Sequence, residues 1–192
     1  MPPIGLGLIC AGIDNAVATM ELIDTDFDGI KVVRYFRAPD LRGIFVKPWL
    51  ANVLAVPFGG VAEAYFSFSE KGVFRGLHYQ RGDKAQKKYV VCLSGSVEDV
   101  ALDMRPGSRT FGKVFRMRLD GMSGAGVIIP EGFAHGIFAY EPSTIVNFCD
   151  KPYAPGDEGG ISWASLEELS DLDVTVISEK DASLPGRERM LL

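Results

Sequence analysis

The chain has 192 residues, 47% of them hydrophobic, which is enough to bury one core and predicts a single domain. Its net charge of −5 argues against a nucleic-acid-binding function, because it provides no basic surface. The three cysteines, Cys10, Cys92 and Cys149, include no C-x-x-C pair. This argues against a disulfide framework or a structural zinc site and favours a reducing, cytoplasmic setting.

Residues 1–20 begin with an apolar stretch that is too short to span a bilayer and lacks the basic start of a signal peptide. We therefore expect no membrane association and interpret these residues as a mobile N-terminal extension. Residues 21–192 are expected to form the folded domain, and Met1 and Met20 are both possible starts of the protein.

Short β-rich runs separated by glycine, proline and aspartate fill the middle of the chain. Several of them alternate apolar and polar residues with period two, and no long stretch has the helical period of 3.6. This pattern predicts an all-β jelly-roll barrel or sandwich with short peripheral helices. The predicted strands are residues 44–46, 64–68, 89–93, 97–102, 114–119, 127–129 and 144–148.

The C-terminal part of the chain turns polar and rich in glycine and proline after Tyr153. A short helix is predicted over residues 164–169. Trp163, Leu169 and residues 174–177 are too apolar for a free linker, so we expect this tail to pack back on the barrel.

The only two histidines, His78 and His135, lie in the segments FRGLHYQ (residues 74–80) and PEGFAHG (residues 130–136). Histidine takes or gives a proton near neutral pH, so this setting indicates proton-transfer chemistry. The alternative is that both are packed, hydrogen-bonded structural residues. With His78 as a base for a carbon-bound proton, Asp181 or Asp99 could orient it.

A developing enolate also needs a positive charge or a hydrogen-bond donor, and Arg75 and Lys88 are the candidates. Lys88 has an alternative role as part of a solvent-facing basic cluster. A metal site is less well supported, because two histidines would need carboxylates to complete it. Covalent catalysis is weaker still, since there is no G-x-S-x-G elbow and Cys92 and Cys149 fall within apolar runs.

Five ordered segments, within about residues 32–185, resemble the dTDP-4-dehydrorhamnose 3,5-epimerase family of cupin-type sugar-nucleotide epimerases. The segments are FRGLHYQ at 74–80, GSVEDVALDMR at 95–105, TFG at 110–112, IPEGFAHG at 129–136 and SEKD at 178–181. The resemblance implies an enzyme without a cofactor or metal that acts on a nucleotide-linked 4-keto-6-deoxyhexose. It would remove the protons at C3 and C5, α to the C4 ketone, and return them to the opposite face.

The resemblance also implies roles for individual residues. His78 would be the base, Asp181 its carboxylate partner and Lys88 the cation that stabilises the enolate. Arg42 and Phe45 would reach the nucleotide across a homodimer interface. Further substrate-binding positions implied in the same way are Arg75, Gln80, Asp99, His135 and Tyr153, the last of which would stack on the base.

The sequence departs from the family's pattern at the position of the tyrosine that acts as the acid. Counting from the two flanking motifs places either Asn147 or Phe148 there, and neither can donate a proton as a phenol does. Proton return would then rely on Tyr140 or on water. This departure favours an alternative function as a single-centre epimerase or isomerase, and a non-catalytic nucleotide-sugar-binding protein is a further alternative.

Three nucleotide-pocket positions also differ from the family's pattern. Lys47 stands in place of a glutamate, Glu63 in place of a glutamine and Tyr65 in place of an asparagine. A change of charge in a recognition pocket typically changes which ligand is accepted. Thymidine is therefore only the assumed base.

Overall fold

The computed structural model describes residues 19–191, which form thirteen strands and two short α-helices, α1 (Ala51–Leu54) and α2 (Glu179–Ala182). Apart from residues 19 and 20, the expected extension lies outside the described residues, and so does Cys10. The strands are β1 (Glu21–Asp24), β2 (Lys31–Arg34), β3 (Phe36–Asp40), β4 (Gly43–Lys47), β5 (Glu63–Ser69), β6 (Phe74–Gln80), β7 (Lys88–Ser94), β8 (Ser96–Asp103), β9 (Val114–Asp120), β10 (Ala125–Ile129), β11 (Phe133–Ala139), β12 (Ser143–Cys149) and β13 (Glu158–Gly160).

The strands form two antiparallel sheets that pack face to face. The six-stranded sheet has the order β1-β2-β10-β7-β12-β5, and the five-stranded sheet has the order β13-β6-β11-β8-β9. One buried cluster joins them, since it contains Val90 and Ile145 of the first sheet with Val97 and Ile137 of the second. Strands β3 and β4 pair only with each other as a separate hairpin. This is the jelly-roll arrangement that the sequence predicts.

All seven predicted strands are present, but β6 and β11, which carry the two histidines, were not predicted as strands. Glycine interrupts their apolar pattern. Gly76 has a φ of +112°, and a Cβ there would lie 2.6 Å from the carbonyl oxygen of His135. Glycine thus permits the close pairing of β6 with β11. The same glycine interrupts the apolar alternation from which a strand is predicted.

The predicted helix over residues 164–169 is wrong. The segment forms two 3-10 turns, Trp163–Ser165 and Glu167–Leu169, with Leu166 between them in an extended conformation and buried. Leu166 interrupts the helix, because its side chain packs into the buried cluster between the tail and the five-stranded sheet. The tail does pack on the five-stranded sheet through Trp163 and Leu169, whereas Val176 is exposed.

Strand β12 shows which of its side chains enter the space between the sheets. Ile145 belongs to the cluster between the sheets, and residues two apart on a strand share a face, so Asn147 points inward with it. Val146 and Phe148 belong to the cluster on the outer side of the six-stranded sheet. The two candidates for the family's tyrosine position therefore lie on opposite faces.

Phe148 contributes to that outer cluster through aromatic contacts. Its ring centroid lies 5.7 Å from that of Tyr89 and 5.6 Å from that of Trp49. We predict that Phe148→Ala lowers the free energy of unfolding by about 3 kcal/mol, the lower end for a truncated aromatic side chain, because Phe148 is only partly buried. Urea unfolding followed by circular dichroism measures this change.

The control for this substitution is Met122→Ala, at an exposed position in the turn between β9 and β10. It should change the free energy of unfolding by no more than about 0.5 kcal/mol. Equal effects of the two substitutions would contradict the structural role of Phe148.

Candidate active site

His78, on β6, is oriented by a carboxylate from the C-terminal part of the chain. Its Nε2 lies 2.8 Å from Oδ1 of Asp181, and the second carboxylate oxygen accepts the backbone N–H of Gly76 at 3.0 Å. Burial opposes the charge of Asp181, yet the hydrogen bonds from His78 and Gly76 keep the pKa of this carboxyl below its ordinary value. With Asp181 accepting a hydrogen from Nε2, Nδ1 carries the lone pair that a base needs.

His135 forms a second histidine–carboxylate pair directly beside the first. It faces His78 in the pairing of β11 with β6, and its Nε2 lies 2.8 Å from Oδ2 of Asp99 on β8. Asp99 is fully buried, and its other oxygen has no hydrogen-bond partner among the described residues. The sequence left Asp181 and Asp99 as alternative partners of His78, and the structure gives one carboxylate to each histidine.

Lys88, the first residue of β7, reaches the same space from the opposite sheet. Burial lowers its pKa below the ordinary lysine value, although the negative charges of Glu158 and Asp99 act in the other direction. An ammonium group in a poorly hydrated site is a strong electrostatic partner for an anion that develops beside it. The position of Lys88 between the sheets argues against its assignment to a solvent-facing cluster.

These side chains line a cleft between the sheets that has two connected parts of about 390 and 300 Å³. His78, Lys88, Tyr65 and Lys180 line both parts, so the parts form one binding space of the size that small ligands occupy. The inner part is also lined by Ser67, Arg75, His135, Gly136, Ile137, Asn147, Ser178 and Asp181, and the outer part by Glu63, Tyr79, Gln80, Gln86, Tyr153 and Glu158.

Glu158 on β13 belongs to the site and was missed in the sequence. Its Oε1 lies 3.7 Å from Nδ1 of His78, and its Oε2 accepts hydrogen bonds of 2.7 Å from Tyr153 and Lys180. Burial raises the pKa of Glu158, but the hydrogen bonds from Lys180 and Tyr153 outweigh it and lower the pKa overall. The available signal was a glutamate within the glycine-rich run after Tyr153.

The outer part of the cleft is organised around the chain at Tyr153. The backbone N–H of Tyr153 donates to Glu63 at 2.7 Å, and that of Ala154 donates to the side-chain oxygen of Gln80 at 2.6 Å. Glu63 and Gln80 therefore hold the Tyr153 ring at the mouth of the cleft. This arrangement leaves Tyr153 half-exposed and accessible for stacking.

Arg75 and Asn147 both line the inner part, but only the Arg75 side chain is held by hydrogen bonds. The guanidinium of Arg75 donates to Ser69 Oγ at 2.9 Å and to the carbonyl of Phe68 at 2.8 Å, which fixes it at the cleft edge. Asn147 is buried, and its side-chain oxygen has no partner within the part of the chain that the structure describes. An unpartnered polar atom of this kind is available to a ligand.

Five predicted binding residues do not line the cleft of their own chain, and one of them is Asp99, which is fully buried beside His135. Assigning Phe148 to substrate binding is wrong, because it points to the outer face of the sheet and packs on Tyr89. Lys47, Arg42 and Phe45 lie on the β3–β4 hairpin, where Lys47 sits 5.9 Å from the Phe45 ring and Arg42 pairs with Asp40. Tyr140 is also outside the cleft, since its hydroxyl donates to Glu98 at 2.8 Å.

Residues 19–191 show neither a cluster of metal ligands nor a membrane-spanning helix. No three histidine, cysteine, aspartate or glutamate side chains are grouped there so that they could hold a metal ion. Cys92 and Cys149 are buried free thiols, and burial raises the pKa of Cys149 to about 11. None of the helices in this range has the length and apolar character needed to cross a membrane.

Two facing antiparallel sheets around a cleft with paired histidines and carboxylates define a cupin-like jelly-roll enzyme. The family model described as dTDP-4-dehydrorhamnose 3,5-epimerase matches residues 24–188, and the chain belongs to this family of isomerases. A relative of that name from Methanothermobacter thermautotrophicus is 36% identical over 176 residues, which cover 86% of this chain and 93% of the relative.

Solved structures agree with this assignment. The dTDP-4-dehydrorhamnose 3,5-epimerase of Sulfolobus tokodaii is 34% identical with a TM-score of 0.83, and the match covers 88% of this chain and 96% of that chain. The Legionella pneumophila dTDP-6-deoxy-D-glucose-3,5-epimerase, solved in complex with dTDP-4-keto-L-rhamnose, is 33% identical with a TM-score of 0.81. That match covers 88% of this chain and 94% of the Legionella chain.

The lowered pKa of Lys88 has a consequence for stability. Since its folded-state pKa lies below the unfolded value near 10.5, the buried charge lowers stability in full below the folded-state pKa, and this cost is relieved as the pH rises towards 10.5. Lys88→Met should therefore raise the melting temperature at neutral pH by about 2–4 °C, the shift expected for 1 kcal/mol in a chain of this size. Melting curves at increasing pH should show the difference shrinking.

Lys71→Met is the matched control, because Lys71 is exposed at the turn before β6. It should leave the melting temperature nearly unchanged at every pH. A stability difference between wild type and Lys88→Met that stays constant with pH would contradict a depressed Lys88 pKa.

Proposed function

We propose that the protein is a cofactor-independent epimerase of a nucleotide-linked 4-keto-6-deoxy sugar, with His78 as the base that removes a proton α to the C4 ketone. The observation that carries this proposal is the meeting of three groups in one cleft: His78, its partner Asp181 and the partly buried cation Lys88. A base, an orienting carboxylate and a positive charge are what proton abstraction beside a ketone requires.

In the proposed reaction, the C–H electrons at C3 or C5 move into a C–C double bond as the proton passes to Nδ1 of His78. The carbonyl electrons move to the C4 oxygen, which becomes the enolate oxygen. Asp181 stabilises the imidazolium that forms, and Lys88 stabilises the enolate. Reprotonation of the same carbon from the opposite face re-forms the ketone and inverts the centre, so no redox cofactor or metal is required.

The cleft also fits a nucleotide-linked ligand. The inner part, with the two histidines, would hold the sugar, and the outer part would hold the base beside Tyr153. The Legionella relative was solved with a dTDP-linked keto sugar, which supports this class of ligand. Thymidine remains an assumption, because Glu63 is engaged with the Tyr153 backbone and Tyr65 occupies the neighbouring wall.

A single-centre epimerase or isomerase is the second candidate. The supporting observation is Asn147, which faces the cleft at the family's tyrosine position and cannot serve as a proton donor in the way a phenol can. Solvent exchange distinguishes the candidates, because it reports each carbon from which the base removes a proton.

The proposal is tested by deuterium exchange in heavy water with a panel of 4-keto-6-deoxy sugar nucleotides, followed by NMR. Wild type should introduce deuterium at C3, C5 or both, and His78→Asn should lower exchange by at least about 100-fold, as expected for loss of a general base. The reaction should proceed equally well in the presence of a chelator.

Tyr140→Phe is the control, because the Tyr140 hydroxyl bonds to Glu98 outside the cleft. A folded His78→Asn variant that exchanges at the wild-type rate would overturn the assignment of the base. Binding of the sugar nucleotides without exchange at any carbon would instead support a non-catalytic binding protein.

We further propose that the active unit is a homodimer in which the β3–β4 hairpin completes the partner's cleft. The hairpin pairs only with itself and exposes Leu41 and Phe45, and Arg42 and Phe45 lie outside the cleft of their own chain. Exposed apolar side chains on a projecting hairpin are typical of an interaction surface. A residue supplied this way would be shared between two copies of the chain.

Mixing two inactive variants tests this sharing. His78→Asn and Arg42→Ala homodimers should each be impaired, but random mixing of subunits would restore about a quarter of the wild-type active sites, since half the dimers are mixed and each has one intact cleft. Exchange activity after mixing measures the recovery, and light scattering measures the mass. No recovery in a mixture of proven mixed dimers, or full activity in a monomer, would contradict the proposal.

A further inference from the structure

We propose that Tyr65 is the general acid that delivers a proton to the substrate carbon from the face opposite His78. This inference rests on the proposed function and supplies the proton donor that Asn147 cannot provide. It assigns the second half of the reaction to a residue that the family's pattern does not place in that role.

The two residues lie on opposite walls of the cleft. His78 projects from β6 of the five-stranded sheet, and Tyr65 projects from β5 of the six-stranded sheet. Both line the inner and the outer part of the cleft together with Lys88. A sugar ring held between the sheets would present one face to His78 and the other to Tyr65, which is the arrangement that inversion requires.

The alternation of β5 directs Tyr65 into the cleft. Glu63, Tyr65 and Ser67 line the cleft, where Tyr65 is 39% exposed, whereas Phe66 and Phe68 are exposed on the opposite face. Such alternation is the normal consequence of the two-residue period of a strand. The ring therefore lies within the substrate space as a result of the strand's register.

Tyr65 is directly opposite Asn147 in the antiparallel pairing of β5 with β12. Directly opposed side chains have Cβ atoms about 4.5–5.5 Å apart, so a phenol on either strand can reach the same volume. The resemblance implies asparagine at position 65 and, counted back from the Tyr153 motif, tyrosine at position 147, so this chain has the two residues in reverse order. The exchange conserves both functional groups and changes only the strand that carries the phenol.

The other tyrosines are unsuited to this role. Tyr79 follows His78 on β6 and packs into the outer cluster, and Tyr153 donates its hydroxyl to Glu158 on the His78 sheet. Tyr140 is bonded to Glu98. Tyr35 and Tyr89 belong to the cluster on the outer side of the six-stranded sheet. Among the six tyrosines, Tyr65 alone both lies on the sheet opposite His78 and lines the cleft.

Tyr65 holds the proton that a general acid must donate. Burial raises the pKa of its phenol, and the nearby carboxylates of Glu63 and Glu158 act in the same direction, so the hydroxyl keeps its proton at neutral pH. In the step itself, the enolate double bond takes the proton from the Tyr65 oxygen, a C–H bond forms and the C4 ketone is restored. The tyrosinate regains a proton from water, and the His78 imidazolium releases its proton to water, so the proton count balances.

The test separates inversion from exchange. Tyr65→Phe should lower the rate of inversion by at least about 100-fold, the lower end of the range for loss of a general acid, while deuterium exchange at the same carbon continues because His78 can return deuterium to its own face. The ratio of inversion to exchange is measured by NMR in heavy water. Tyr140→Phe is the matched control and should leave this ratio at the wild-type value.

A reciprocal variant protects the test against loss of folding. Tyr65→Asn should lose inversion, and the double variant Tyr65→Asn/Asn147→Tyr should regain it, because the phenol returns from the neighbouring strand. Melting temperatures verify that each variant is folded. The double variant Tyr65→Asn/Asn147→Phe fills the same volume without a hydroxyl and should not regain inversion, and recovery there would show that Tyr65 only shapes the binding space.

The outcomes distinguish this inference from the proposed function. Wild-type exchange and inversion that both persist in Tyr65→Phe within a few-fold would overturn the role of Tyr65 alone. Wild-type exchange without inversion at any carbon would also overturn it, while leaving His78 as the base. Absence of exchange in wild type with every sugar nucleotide of the panel would overturn the proposed function and this inference together.

Discussion

The site depends on single polar residues placed in the inward-facing rows of core strands. On β7, β8, β11 and β12, Val90, Val97, Ile137 and Ile145 fill the space between the sheets. Two residues away on the same strands lie Lys88, Asp99, His135 and Asn147. A buried polar or charged group lowers the stability of the fold unless it is paired. These inward-facing polar residues therefore need hydrogen-bonding or ionic partners from other elements.

Those partners come from separate elements. Asp181 reaches His78 from α2, and Asp99 reaches His135 from the neighbouring strand β8. Each histidine is therefore oriented only when the tertiary structure is complete, which links the chemistry to the fold. Lys88 is the exception, since burial lowers its pKa and no carboxylate among residues 19–191 forms a hydrogen bond with it. Such a charge lowers the stability of the fold but interacts strongly with an anion in the cleft.

The strands that alternate polar and apolar residues were predictable, because a half-buried strand records its two faces in its sequence. Strands β6 and β11 were not, since Gly76 and Gly136 break the alternation where the two backbones approach each other. The choice between Asn147 and Phe148 depended on register, which counting from distant motifs leaves uncertain by one residue and which reverses the face. Glu158 was not predicted as a site residue, because two of its partners, His78 and Lys180, are distant in sequence.

Cross-strand pairing also limits what position along the chain reveals about function. Counting along the sequence from the flanking motifs places Asn147 or Phe148 where the family resemblance implies a phenol, and so suggests a missing group. The structure instead shows Tyr65 directly opposite Asn147, on the strand beside β12. Because opposed residues on adjacent strands share one volume, the physical requirement is for a phenol in that volume and does not specify which strand carries it. A function inferred from a missing residue should therefore be checked against its cross-strand partner before the chemistry is judged lost.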